Sequence, residues 1–180
     1  DGEIAATDGM ALSGRVAFMA QSDLLFPWLS VADNVCLGAR LRHQRASKDR
    51  AAHLISEVGL SAHARKRPGA LSGGQRQRAA LARTLMEDRP IVLLDEPFSA
   101  LDAKTRSEMQ DLAAKTLAGK SVLLVTHDPG EAARLADRIY IMSPEGVAVV
   151  ETPPSRPPRD VEDSAALTLQ GALLARFRRG

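Results

Sequence analysis

The spacing of hydrophobic residues changes along this chain and divides it into two kinds of structure. Between residues 30 and 88, apolar positions recur at helical intervals, as with Leu54, Ile55 and Val58 on one face. Serines stand where helix N-caps are expected, and Gly59 is a stop signal after the second helix. The pattern predicts helices over residues 31–39, 48–58 and 72–88.

From residue 91 onward, short apolar runs alternate with helical patterns. The predicted elements are a strand at 91–94, a helix at 103–118, a strand at 122–126, a helix from Asp128 and a strand at 138–142. This alternation is typical of βαβ units, which place their strands in one parallel sheet. Two short strands are also predicted within 3–20, the better one at 15–20. Four prolines make 151–160 an extended linker, followed by a helix at 161–177.

Composition narrows the class of protein without identifying it. The 180 residues are 44% hydrophobic and 26% charged, which is ordinary for a globular domain with a real core. A net charge of +2 implies no polyanionic partner, so we expect no nucleic acid. Cys36 is the single cysteine, which excludes an internal disulfide and favours a reducing compartment. No apolar run approaches the roughly 20 residues that span a bilayer.

Two consecutive glycines stand at the predicted start of the third helix, in Ser72-Gly73-Gly74-Gln75. Serine at the N-cap and glutamine three residues later form a capping box, so a well-made helix start is one interpretation. Each glycine costs about 1 kcal/mol relative to alanine inside a helix. That cost favours a second interpretation, in which a ligand closely approaches the backbone. The free N–H groups and dipole of a helix N-terminus suit a phosphate.

Two adjacent carboxylates, Asp95 and Glu96, follow the apolar strand at 91–94. The ends of parallel strands form the usual ligand-binding edge of an open α/β sheet. A strand that simply ends in a polar turn is the alternative. Because adjacent strand residues point to opposite sides, the two carboxylates need not compete for one role.

Other polar residues follow predicted strands. His127 ends the strand at 122–126, and a lone histidine in such a place is more often structural. Because this strand is predicted to run parallel to 91–94, we expect His127 at the same sheet edge as Glu96. Asp102 enters the helix at 103–118 as a possible N-cap.

Five motifs resemble those of ABC transporter ATP-binding subunits and occur in the same order along the chain, over residues 2–143. They are Gln21 with Leu24–Val31 (the Q-loop), Leu71–Gln75 (the signature motif), Ile91–Glu96 (Walker B), Ser99–Asp102 (the D-loop) and Thr126–Asp128 (the switch histidine). The resemblance implies an α/β fold, a RecA-like P-loop NTPase core with a mostly parallel sheet and an inserted helical subdomain. It places the core at 1–22 and 88–150, the helical signature subdomain at 23–87, and a Pro-rich linker with a C-terminal helix at 151–180.

The resemblance also implies residue roles in the binding and hydrolysis of Mg-ATP. Asp95 and Gln21 hold Mg²⁺, and Glu96 is the general base or orients the attacking water. His127 contacts the γ-phosphate, and Asp102 belongs to the loop that touches the opposing subunit. The signature residues Ser72, Gly73, Gly74 and Gln75 bind the γ-phosphate of ATP held by that subunit.

One motif of the family is missing, the phosphate loop Gly-x-x-x-x-Gly-Lys-Ser/Thr (Walker A). Gly119-Lys120-Ser121 shares its ending, but the required first glycine falls on Ala114 and the segment precedes a strand instead of following one. We therefore expect the first strands and the phosphate loop upstream of Asp1. We also expect negligible ATPase activity from this chain alone.

The resemblance further implies partners. The Phe26–Val35 stretch is similar to nitrate, sulfonate and taurine importers, and Arg83–Pro90 with the Pro-rich tail leans towards a branch that imports a pyrimidine precursor of thiamine. Such a subunit forms a head-to-tail homodimer or pairs with a second ATPase subunit. It docks on an integral-membrane permease at the cytoplasmic face of the membrane, and a solute-binding protein acts indirectly. Phe26 and Trp28 either contact the permease or pack within the helical subdomain. The alternatives are a non-transport ABC ATPase and a truncated, non-catalytic paralogue.

Overall fold

A computed structural model of the protein describes residues 6–144 and 146–178. Its internal contacts divide the chain into two compact units, residues 1–125 and 126–180. In the described part of the chain, no helix combines the length and apolar character needed to cross a membrane. The boundaries expected for the helical subdomain, 23–87, remain a prediction.

Three parallel strands form the sheet of the first unit. These are β1 (Val16–Met19), β2 (Ile91–Asp95) and β3 (Ser121–Val125), in the order β1-β2-β3. Met19 lies beside Leu94, and Leu94 lies beside Leu124, so the carboxyl ends of all three strands coincide. One face of β1 and β2 is buried, through Ala17, Met19, Val92 and Leu94. The parallel arrangement predicted for these strands is confirmed.

The first strand predicted within 3–20 does not form among residues 6–14, and residues 1–5 lie outside the described part. Instead, Gly9 has a φ of 70°, a turn conformation that interrupts an extended chain.

The helices of the first unit are α1 (Val31–Val35), α2 (Leu37–Leu41), α3 (Lys48–Glu57), α4 (Gly73–Met86) and α5 (Ala103–Thr116). The single helix predicted over 31–39 is therefore two short helices. Cys36 separates them because its ψ of −1° departs from the helical value of about −42°. The inward face predicted for α4 is confirmed, since Ala79, Ala80, Leu81 and Leu85 are all buried.

The second unit contains α6 (Pro129–Leu135), β4 (Ile139–Ser143), β5 (Gly146–Val150) and α7 (Ser164–Phe177). The prediction that the strand at 138–142 joins the parallel sheet is wrong, because β4 pairs with β5 in an antiparallel hairpin. Only two residues separate Ser143 from Gly146. Parallel strands need a crossover of about a dozen residues, so this short connection permits only a hairpin. The helix predicted at 161–177 is confirmed as α7.

Candidate functional site

The carboxyl edge of the three-stranded sheet brings predicted site residues together. Gln21 and Glu96 each lie two residues beyond the paired positions Met19 and Leu94, and Asp95 is the last residue of β2. Gln21 is exposed, whereas Asp95 and Glu96 are half-buried. The backbone therefore places one residue with an amide and two with carboxylates at this edge, the carboxyl ends of parallel strands where α/β sheets bind ligands.

Glu96 has a strained backbone. Its φ of 48° is in the left-handed region, which costs a residue other than glycine on the order of 1–3 kcal/mol. Hydrogen bonds hold it there: its N–H donates to Val125 O (2.9 Å), and its carbonyl accepts from Ser99 Oγ (3.1 Å). Such strain is concentrated at functional sites, where the surrounding structure fixes a side chain in one direction.

Gln77 is a residue that the sequence analysis missed. Its side chain is only 5% exposed, and its Nε2 donates to the Glu96 carbonyl (2.9 Å). Its Oε1 accepts from the Ala100 N–H at 2.8 Å. A signal was present in the sequence, because Gln77 falls on the same helical face as the buried Ala80, Leu81 and Thr84. The signature helix α4 is thus joined directly to the loop that carries Glu96.

Asp95 has the chemistry of a magnesium ligand. Among the described residues, no protein group forms a hydrogen bond or ion pair with its carboxylate. The described residues include no cluster of three or more His, Cys, Asp or Glu that could hold a metal ion. Mg²⁺, however, typically takes one or two carboxylates and completes its shell with water and phosphate oxygens. The carboxylate of Asp95 and the amide oxygen of Gln21 fit that kind of site.

The start of α4 is capped as the sequence predicts. Ser72 Oγ accepts from the Gln75 N–H (3.2 Å), and Gln75 Oε1 accepts from the Ser72 N–H (2.9 Å), which completes the capping box. Ser72 and Gly73 are exposed. The first turn of α4 therefore faces solvent with the partial positive charge of a helix N-terminus, which suits an anion.

The two glycines of this turn differ in their surroundings. A Cβ at Gly74 would lie 3.2 Å from Ala100 O and 3.4 Å from Leu101 Cδ2. A Cβ at Gly73 would meet only Arg76 Nη2, at 3.9 Å. Close packing inside the chain explains glycine at position 74. Packing inside the chain does not explain glycine at position 73, so the expectation that a ligand approaches the backbone stays a prediction for Gly73.

His63 touches the signature motif and was also missed. Its Nε2 lies 3.3 Å from Gln75 Nε2. Since Gln75 Oε1 already accepts from the Ser72 N–H, Gln75 Nε2 is the donor and His63 Nε2 is the acceptor. The imidazole therefore fixes the orientation of the Gln75 amide.

The segment after Gln21 is tied to α4 by two arginines. Arg76 Nε donates to Asp23 Oδ2 (2.9 Å), and Arg83 donates to the carbonyls of Asp23 (2.8 Å) and Leu24 (2.7 Å). Two residues further on, the rings of Phe26 and Trp28 lie 5.1 Å apart and are exposed. Trp28 is 63% exposed, so packing inside the helical region does not explain it.

Asp102 caps α5, as predicted. Its Oδ1 accepts from the Thr105 N–H (3.0 Å) and its Oδ2 from the Thr105 hydroxyl (2.8 Å). These two bonds hold the pKa of Asp102 below its usual range, the backbone N–H more strongly. Both carboxylate oxygens thus serve the local helix start.

His127 belongs to the second unit and is exposed. The turn that carries it is closed by the Thr126 hydroxyl, which donates to Glu131 Oε2 (2.8 Å) and accepts from the Asp128 N–H (3.0 Å). Asp128 Oδ1 accepts from the Gly130 N–H at 2.8 Å, so the predicted cap of α6 is confirmed. The expectation that His127 shares an edge with Glu96 stays a prediction.

Lys120 is excluded as a phosphate-loop lysine by its surroundings. Gly119 has a φ of 77° in the turn between α5 and β3, and Lys120 Nζ bonds Asp88 Oδ1 at 2.7 Å. This is the helix-ending turn that the sequence indicates.

The architecture matches a solved nucleotide-binding structure. A dimeric ATP-binding cassette in a post-hydrolysis state, bound to ADP and Pi, superposes with a TM-score of 0.64 at 36% identity. The match covers 70% of this chain and 57% of that one. The fold is that of the RecA-like ABC ATPases, and the α/β class predicted from the sequence is confirmed.

Sequence comparison establishes the family. The ABC transporter family model matches residues 2–99. An uncharacterized ABC transporter ATP-binding protein of Haemophilus influenzae is 48% identical over 167 residues, which are 89% of this chain and 70% of that protein. An aliphatic sulfonates import ATP-binding protein of Cupriavidus necator is 44% identical over 181 residues, which cover 99% of this chain but only 58% of the relative. The chain belongs to the ABC transporter family.

Proposed function

We propose that this chain is the ATP-binding subunit of an importer and couples hydrolysis of Mg-ATP to uptake of a small solute. The observation that carries the proposal is the carboxyl edge of the sheet, where Gln21, Asp95 and Glu96 lie together. In this proposal, Asp95 and Gln21 hold the magnesium ion, whose positive charge neutralises the phosphates.

Glu96 has the role of accepting a proton from the attacking water, or of orienting it. Its strained backbone and its backbone bonds to Val125 and Ser99 support this role, because they fix the backbone from which the side chain projects. Gln77 supports the same geometry through its bond to the Glu96 carbonyl. His127 is assigned a contact with the γ-phosphate, from the turn at the start of α6.

The exposed start of α4 has a partner in this proposal, a second ATP-binding subunit arranged head to tail. Ser72, Gly73 and Gln75 cover the γ-phosphate of ATP held by the phosphate loop of that subunit. The open space at Gly73 supports this assignment. The loop that contains Asp102 faces the same partner, either a second copy of this chain or a paired ATPase subunit.

The permease docks, in this proposal, at the exposed aromatic pair of Phe26 and Trp28. The hydrogen bonds of Arg76 and Arg83 to Asp23 and Leu24 connect this surface to the signature helix. In this proposal, these bonds transmit a displacement of the docking surface by the permease to the start of α4. The complex is placed at the cytoplasmic face of the membrane, with the solute-binding protein acting through the permease.

Sulfonates are the first solute class to test, because a relative that is 44% identical is named for the import of aliphatic sulfonates. We propose to purify the native transporter with its permease and measure ATP-dependent uptake into proteoliposomes against a panel of small solutes. Uptake of a sulfonate that requires this chain is expected. Failure of the chain to co-purify with any membrane subunit would contradict the transport function and favour a non-transport ABC ATPase.

The 180-residue polypeptide alone is expected to have negligible ATPase activity. It contains no Gly-x-x-x-x-Gly-Lys-Ser/Thr segment, and the lysine nearest to such a pattern, Lys120, bonds Asp88. Robust turnover of Mg-ATP by the isolated polypeptide, abolished by Glu96→Gln, would overturn this expectation.

A further inference from the structure

The C-terminal segment, residues 151–178, contacts α6 along its length. Arg159 is 3% exposed, and its guanidinium donates to three carbonyls. Nη1 reaches Ala133 O (2.8 Å) and Ala136 O (2.9 Å), and Nη2 reaches Pro153 O (3.0 Å). Burying a guanidinium is costly, and these three bonds offset that cost, whereas its buried Nε has no hydrogen-bond partner among the described residues.

The carbonyls that Arg159 binds include those at the end of α6. The last carbonyls of a helix lack partners within it and carry its partial negative charge, which a cation neutralises. A reciprocal pair of bonds also links Arg159 to Arg134: the Arg159 backbone N–H donates to Arg134 O (2.9 Å), and the Arg134 side-chain Nε donates to Arg159 O (3.1 Å). The end of α6 is thus held by a residue that the sequence analysis placed in a linker.

The same segment reaches the start of α6. A Cβ at Gly130 would lie 3.3 Å from Gln170 Nε2, so α7 packs closely against the first turn of α6. Asp163 caps α7 by accepting from the N–H groups of Ala165 (2.9 Å) and Ala166 (3.0 Å), which fixes where α7 begins. Both ends of α6 are therefore in contact with residues 151–178.

We propose that residues 151–178 position the turn that carries His127, and that Arg159 is the positioning residue. His127 stands two residues before Pro129, the first residue of α6. Rotation or fraying of α6 moves the turn, because the Thr126–Glu131 and Asp128–Gly130 bonds link the two. The inference rests on the proposed function only for the role of His127 at the γ-phosphate. The contacts of Arg159 do not depend on that function.

Arg159→Met tests the proposal, since methionine retains an apolar stem but removes every side-chain donor and leaves the backbone bond to Arg134 O in place. We expect amide exchange at Ala132 in α6 and at Ala136, its C-cap, to accelerate about tenfold or more, as for loss of donors to buried carbonyls. We also expect the His127 ring signals to shift in the NMR spectrum of the whole chain. The matched control is Arg156→Met, the same change at an exposed arginine of the same segment, and the β4–β5 amides serve as an internal reference.

Unchanged α6 exchange and unchanged His127 signals in a folded Arg159→Met variant would overturn the proposal. So would equal acceleration in the β4–β5 hairpin, because it would show a general loss of stability. If that variant does not fold, Gln170→Ala tests the contact between α7 and the first turn of α6. We expect the NMR signals of His127 and of the first-turn amides of α6 to shift. The absence of a shift would overturn the proposal. These measurements need no nucleotide, so a failure of the proposed ATPase function is distinguishable from a failure of this inference.

Discussion

The starts of α4 and α6 are both capped helix termini assigned to the γ-phosphate, yet they are held in different ways. Groups from the first unit fix α4, where His63 orients Gln75 and Gln77 joins the helix to the loop after β2. At α6 the contacts come from residues 151–178, well beyond the last recognised motif. The motifs therefore contain the residues proposed to contact the nucleotide, but the groups that position them lie partly elsewhere in the chain.

The largest stability difference should come from removing Gln77. Gln77→Met leaves the Ala100 N–H without its partner, and a buried unsatisfied group costs about 1–3 kcal/mol. The Glu96 carbonyl loses one donor but still accepts from Ser99 Oγ. We expect amide exchange in β2 and α4 to accelerate, while α6 and α7 are unchanged.

The matched control for Gln77 is Gln44→Met, a change at an exposed glutamine. Equal exchange in the two variants would show that Gln77 does not hold α4 and the Glu96 loop together.

A smaller difference should separate the two glycines of the signature motif. Gly74→Ala forces a Cβ to 3.2 Å from Ala100 O, and overpacking typically costs about 1–3 kcal/mol, partly offset by the higher helix propensity of alanine. Gly73→Ala meets open space and should leave the thermal unfolding temperature unchanged or slightly raised. In the native transporter, Gly73→Ala should still lower ATP turnover.

Equal unfolding temperatures for the two alanine variants would contradict the packing explanation for Gly74. Full ATP turnover in the Gly73→Ala transporter would remove the reason to assign Gly73 to a ligand.

The smallest effect distinguishes the caps of α7 and α4 by their response to acid. The N–H of Ala166 and the Ser155 hydroxyl hold the pKa of Asp163 below its usual range. A carboxylate whose pKa is lower in the folded state stabilises the fold at pH values above its unfolded-state pKa, about 3.9. This contribution is lost as the pH falls through the folded-state pKa. Below about pH 4, corrected amide exchange in the first turn of α7 should rise, whereas α4, capped by uncharged Ser72, should not respond.

Asp163→Asn should abolish the acid response of α7. A response of α4 as large as that of α7 would indicate general acid unfolding instead of the loss of one cap.

Much of the fold follows from local rules. The capping residues Ser72, Asp102 and Asp128 each begin a helix, and the apolar runs at β1, β2 and β3 form the parallel sheet. The pairing of β4 was mispredicted because no strand was predicted at residues 146–150, where β5 forms the second half of the hairpin. The candidate site at the edge of the sheet could also be predicted locally, since Gln21, Asp95 and Glu96 each stand at or just after the end of a strand.

The bonds that the positioning residues make could not be predicted from such rules, although the helical face of Gln77 indicates that its side chain is buried. Gln77 and Arg159 act by binding backbone carbonyls and N–H groups that are distant in sequence. Because these backbone groups do not depend on residue type, the sequence does not show which residues are bound. A Pro-rich stretch predicts extended chain, but it does not show that one of its arginines is buried against a helix end. The positive φ of Glu96 is likewise absent from the sequence pattern.

The most direct test of the proposed function is Mg-ATP turnover by the native transporter carrying Glu96→Gln, against Glu108→Gln as a matched change at an exposed position of α5. Loss of a general base lowers the rate about 10²–10⁴-fold, and this loss is predicted for Glu96→Gln alone. Full turnover in the Glu96→Gln transporter would contradict the assignment of the catalytic edge.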